Sequence, residues 1–175
     1  ENDLIEVFVL PEIGGKVWTA VVKAGEKPFL YGNSVVKFRD VAMRGPWTSG
    51  GIEANYGIIG HTPNVSTPVD YAVRRNADGS VSCITGALDL LTGTTWRLET
   101  RLAPGDASFT TTSTWYNGSS LEQPYYTWMT AGIATVEERR FVSRLQSSLQ
   151  GGTPERPVEV LNFGCVGYTL AQGAA

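Results

Sequence analysis

The first two thirds of the chain repeat one rhythm, in which short stretches of β-forming residues alternate with polar or glycine-rich turns. Leu4 to Leu10 is such a stretch, Gly14-Gly15 interrupts it, and Val17 to Val22 resumes it. Pro28 to Tyr31 and Val35 to Phe38 read as two further short strands. Tyr71 to Arg75 leads through Asn76-Ala77-Asp78-Gly79 into Ser80 to Thr85, and the Asp-Gly pair predicts a hairpin, because glycine accepts the positive φ of a tight turn. Thr94 to Leu102 and Ser108 to Tyr116 alternate polar and apolar residues, with Pro104-Gly105-Asp106 between them and Asn117-Gly118 after them. A period of two puts one face on a core and the other in water, as in an antiparallel sheet.

Two segments break the rhythm. Arg39 to Pro68 is rich in Gly, Pro, Asn and Trp and has no clean period. About thirty residues without regular structure inside a compact domain usually carry function rather than link elements. Beyond Tyr126 the period changes: Val136, Phe141, Leu145 and Leu149 recur at helical spacing, and Gly151-Gly152 with Pro154 marks a stop. This predicts an amphipathic helix of about three turns over Glu137 to Leu149. Pro157 to Phe163 then reads as a buried strand and Gly164 to Gly167 as a turn. The fold class expected is mainly β and antiparallel, with a short C-terminal α/β segment.

Composition narrows the partners. The 175 residues are 42% hydrophobic and 18% charged, and 14 basic against 17 acidic side chains leave a net charge of −3. Without a Lys/Arg run the chain lacks the electrostatic footprint that phosphate backbones demand, so nucleic acid is not an expected partner. Nor is a membrane, since no stretch approaches the roughly 18 to 20 apolar residues of a bilayer span. The charged start Glu1-Asn2-Asp3 is unlike the basic opening of a signal peptide, and the compartment stays open. Cys83 and Cys165 with a single histidine form no cluster of metal-ligand spacing, and no cofactor is expected. His61 being the only histidine, any mechanism within this chain that needs two imidazoles is excluded.

The stretch Met43 to Pro63 gathers Arg44, Trp47, Glu53, Asn55, Tyr56 and His61 within about twenty residues. Such a set suits a sugar: pyranose C–H faces stack on aromatic rings, and hydroxyls pair with carboxylate, amide and guanidinium groups. The alternative is that Trp47 and Tyr56 plug the core while Arg44 and Glu53 form an internal ion pair. Trp115 and Tyr125 alternate so as to share a sheet face; they are either core or an extension of the aromatic platform begun by Trp47.

Leu10-Pro-Glu-Ile-Gly-Gly-Lys-Val-Trp18, Val36-Lys-Phe38, Arg44-Gly-Pro-Trp-Thr-Ser-Gly-Gly-Ile-Glu-Ala-Asn55, Gly60-His-Thr-Pro63 and Pro68-Val-Asp-Tyr71 resemble the blocks of the DUF5107 family. The resemblance covers about residues 1 to 136, and that family is placed in the galactose mutarotase-like superfamily. It implies part of a β-supersandwich, two antiparallel sheets packed face to face, with a concave side that binds carbohydrate. Mutarotase-like enzymes open a hemiacetal ring with a carboxylate base and a histidine acid, which makes His61 the acid candidate. The family's carboxylate lies in a C-terminal half that this chain does not show, so whether the chain is an enzyme is left open. The second block, Arg140 to Leu149 with Val158 to Thr169, resembles the first helix, second strand and turn of an SGNH hydrolase. There Gly167 would correspond to an oxyanion-hole donor, although the Gly-Asp-Ser nucleophile motif is missing.

The expectation is therefore a mutarotase-like β-sandwich over 1–136 and an SGNH-like segment over 137–175. The first would bind carbohydrate through Arg44, Trp47, Glu53, Asn55 and Tyr125, with aldose epimerase or glycoside hydrolase-like catalysis through His61 as the alternative. A structural, assembling protein is the third reading, since part of a supersandwich leaves sheet edges open to self-association.

Overall fold

The computed structural model describes residues 1–41, 45–48, 50–56, 64–123 and 127–131. Strands dominate them: β1 (Ile5–Leu10), β2 (Lys16–Val22), β3 (Lys27–Leu30), β4 (Arg39–Val41), β5 (Gly45–Trp47), β6 (Ile52–Tyr56), β7 (Asp70–Arg75), β8 (Val81–Asp89), β9 (Thr94–Leu102), β10 (Thr110–Asn117) and β11 (Thr127–Ala131). A single turn of 3-10 helix over Pro11–Ile13 is the helical element among the described residues. One sheet runs β1-β2-β6-β11 with β3 also on β2, a second runs β10-β9-β8-β7, and β4 pairs β5 apart from both. All pairings among the described residues are antiparallel.

The predicted alternation of Thr94 to Leu102 is realised residue by residue. Thr94, Trp96, Leu98, Thr100 and Leu102 are buried on one face of β9, and Arg97 and Arg101 are exposed on the other. Side chains of both sheets meet in two cores. Ile5, Val17, Ala20, Phe29 and Leu30 of the first sheet surround Leu102 of the second, while Tyr56 of the first packs on Trp96 and Leu98 of the second. Between the cores the sheets approach closely at Gly15, where an added Cβ would lie 2.6 Å from the Thr85 Cβ. Such an approach excludes any side chain at position 15.

A bulge in β2 decides which side chains of that strand reach the core. Phe8 pairs Thr19 but the next residue, Val9, pairs Val17, so Trp18 is the extra residue. The insertion lets Val17 and Ala20 both face the core although three positions separate them, and it leaves Lys16 on the opposite face.

Two expectations need correction. Val35 to Phe38 is not a strand: it lies outside every ladder, and Val35, Val36 and Phe38 are exposed. Its β-forming residues find no pairing strand among the described residues, and propensity without a partner does not make a strand. Arg39 to Pro68, expected to be irregular, contains β4, β5 and β6. These strands are three to five residues long, too short for a period to show among the glycines. The helix expected over Glu137 to Leu149, the strand over Pro157 to Phe163 and the turn after it lie outside the described residues.

Candidate functional site

The pairing of β2 with β6 sets Val17 opposite Ile52, both turned toward the shared core. Side chains alternate along a strand, so the residues on the neighbouring rung, Lys16 and Glu53, point to the other face, and Asn55 follows Glu53 there. That face of the first sheet points away from the second sheet, yet its polar residues are buried: Asn55 is 0% exposed, Glu53 2%, Lys16 3% and Thr48 1%. Four buried polar residues behind one sheet need partners there, and this makes them the candidate site.

The bonds define how the cluster is built. Lys16 Nζ donates to the Thr48 carbonyl oxygen at 2.7 Å and to Thr48 Oγ1 at 3.1 Å, tying β2 to the segment before β6. The ammonium also lies 5.8 Å from the centre of the Trp18 ring, within cation–π range. Burial pushes the Lys16 pKa down to about 8, and the nearby Glu53 carboxylate opposes that shift. The lysine is thus poised to change charge close to neutral pH, whereas an ordinary lysine stays charged until well above it.

Glycine lets the chain close over this cluster. Gly51 has φ +65, a conformation that strains other residues, and its N–H donates to the Tyr31 carbonyl oxygen. A Cβ on Gly51 would run into the Val17 carbonyl oxygen and come within 3.1 Å of Lys16 Cε. Gly51 is therefore required by the backbone of β2 and by the lysine beside it, and Gly50 by the close approach of Tyr31. Tyr31 is held in turn by its hydroxyl on Asn33 Oδ1 at 2.6 Å, and Trp18 Nε1 donates to the Asn33 carbonyl oxygen at 3.0 Å.

Of the residues expected to bind sugar, the structure brings Glu53 and Asn55 together on β6. It places Trp47 in β5, and Arg44, His61, Tyr125 and Gly167 lie outside the described residues. Tyr56 takes the core role that was its alternative: it is buried and stacks on Trp96 with ring centres 5.1 Å apart and planes 13° from parallel. Trp115 packs against that same core, opposite Trp96 on the neighbouring strand. It is core rather than platform.

Sequence reasoning passed over Lys16, Thr48 and Trp18. Lys16 sits where alternation puts the face away from the core, so its residue type and position in that alternation alone do not mark it as buried. The available signal was its place in the block Leu10 to Trp18, directly between Gly14-Gly15 and an apolar run. Among the described residues no three His, Cys, Asp or Glu side chains converge as a metal site, and no helix is long and apolar enough to cross a membrane.

Two antiparallel sheets with common cores, one carrying a buried polar cluster, make the described residues a mainly β domain. The chain belongs to the family described as "Domain of unknown function (DUF5107)", whose model matches residues 1–163. The match runs past residue 136, the end expected for the resemblance, into the segment expected to be SGNH-like. Among solved structures the chain is similar to a TPR-domain containing protein from Parabacteroides distasonis ATCC 8503, at 27% identity and a TM-score of 0.69. That similarity covers 75% of this chain and 22% of the other, so the chain spans about a fifth of the length of the protein it matches.

Proposed function

We propose that the chain is a carbohydrate-binding β-sandwich domain of the galactose mutarotase-like class, part of a larger sugar-processing protein. The observation that carries the reading is the buried set Lys16, Glu53 and Asn55 on one sheet face, with Thr48 bonded to Lys16. A carboxylate and an amide two residues apart on one strand are the group types that pair with vicinal hydroxyls, and the Lys16 ammonium lies near that carboxylate. Trp47, with Arg44 and Tyr125, supplies the stacking and guanidinium contacts in this reading. Residues 138–173 are, in the same proposal, an SGNH-like fragment in which Gly167 retains a turn and no hydrolytic role. A glycan array probed with the full chain tests the assignment: Glu53→Gln and Trp47→Ala should each weaken retention of the bound sugar at least about tenfold. Unchanged binding in both variants removes the site.

A second reading is favoured by the Lys16 pKa of about 8 beside Glu53. Groups that exchange protons near the working pH suit the acid–base steps of aldose ring opening, with His61 as acid. Polarimetry of freshly dissolved α-sugars would then show a rate enhancement that His61→Ala removes. Identical traces for the two proteins end this reading.

A further inference from the structure

Among the described residues β7 is a free edge of the second sheet, and all six of its residues are exposed. Unpaired edge strands are ordinarily defended by charge, and β7 carries three charged residues, Asp70, Arg74 and Arg75. Their arrangement is nonetheless self-complementary. Tyr71 and Val73 pair with Thr85 and Cys83 of β8, on the face that β8 and β9 turn to the core. Asp70, Ala72 and Arg74 pair with Gly86, Ile84 and Ser82, on the opposite face. Thr85 is buried on that core face, whereas Tyr71 and Val73 remain 63% and 65% exposed, an apolar pair that the described residues leave uncovered at the rim of the core.

In an antiparallel pair of identical strands about a two-fold axis, opposed residues have a constant sum of numbers and share a face. The register centred on Ala72 sets Ala72 against itself, Tyr71 against Val73 of the second copy, and Asp70 against Arg74. Both copies then present their core faces to the same side. Sliding either way by two residues, which keeps the faces matched, takes Asp70 away from Arg74; one slide puts Arg74 opposite Ala72 and Arg75 opposite Tyr71. The charges that guard the edge against other partners therefore select this one.

We propose that β7 is a homotypic pairing edge, through which two copies of this chain join their four-stranded sheets into one eight-stranded sheet with Asp70 opposite Arg74 at each end of the joint. Tyr71 and Val73 of each copy then cover one another, and β7 satisfies its outward backbone groups. This goes beyond sugar recognition, since β7 belongs to the second sheet and the polar cluster to the first.

Sedimentation equilibrium of the full chain tests it, with circular dichroism confirming that each variant is folded. The native chain is expected to dimerise. Asp70→Arg should weaken association at least about tenfold by setting like charges opposite, and the double variant Asp70→Arg/Arg74→Asp should recover it. Because Arg74 also contacts Glu99 and Asn76 within its own chain, a cross-linking arm stands beside the charge swap. In a background with Cys83→Ser and Cys165→Ser, Ala72→Cys should give a covalent dimer under mild oxidation, since residue 72 faces its own copy at disulfide distance. Asp70→Cys should not, since residue 70 faces residue 74. A monomeric native chain, a dimer indifferent to Asp70→Arg, or equal cross-linking at positions 70 and 72 overturns the proposal.

Discussion

Strands β9 and β6 bury opposite kinds of residue, although only β9 is long enough for its period to show in the sequence. Both alternate polar and apolar residues. On β9 the alternation reports solvent: Trp96 and Leu98 go inward while Arg97 and Arg101 lie in water. On β6 the polar positions are the better buried, with Glu53 and Asn55 sealed and Ile52 only partly covered. The difference comes from what lies behind each sheet, since the face that carries Glu53 and Asn55 also holds the buried Lys16 with its partner Thr48. A period of two identifies two faces, and only the tertiary structure says whether the polar one is wet.

The comparison breaks most visibly at the core. Trp96→Ala removes a ring that is buried and stacked on Tyr56, and it should cost about 4 kcal/mol of unfolding free energy in urea titrations. If the polar face of β6 is sealed where that of β9 is wet, polar truncation on β6 should come close to that value. Glu53→Ala leaves the Lys16 ammonium buried with its charge neighbour gone, and a loss of about 3 kcal/mol is expected by the same measurement. A loss under about 1 kcal/mol would place Glu53 functionally on a wet face.

Much of the fold was legible because most strands have turns that announce them. Asp78-Gly79 sits between β7 and β8, and Gly79 has the positive φ that the hairpin reading required. Thr94 to Leu102 was read to the residue, since a long half-buried strand shows many periods. Val35 to Phe38 misled for the converse reason: four β-forming residues carry too little pattern to say whether a partner strand exists. In the candidate site, chemical type and spacing singled out Glu53 and Asn55, which the structure places on one face of β6. Lys16 was missed because its burial depends on Thr48, thirty-two positions away, and on the room that Gly51 leaves. No local window contains that information.

The smaller effects separate the two sheets by charge rather than by packing. Arg101 on β9 pairs with Asp78 where both side chains are about half exposed, and Arg101→Ala should hardly move the denaturation midpoint. Lys16 should instead make stability depend on pH. Its native pKa, about 8, lies below the usual 10.5, so above pH 8 the native chain has released a proton that the unfolded chain still holds. Unfolding then takes up that proton, and stability rises with pH, by about 1 kcal/mol between pH 8 and 9. Burial pushes the Cys83 thiol pKa upward, which acts in the opposite sense once unfolded cysteine begins to ionise near pH 9. The informative quantity is therefore the difference between the native chain and Lys16→Met, in which the Cys83 contribution cancels. That difference, native minus variant, should rise by about 1 kcal/mol between pH 8 and 9, because the cost of the buried charge fades in the native chain alone; a constant difference across pH 7 to 9 would mean that Lys16 behaves as a solvated lysine, like the exposed arginines of β9.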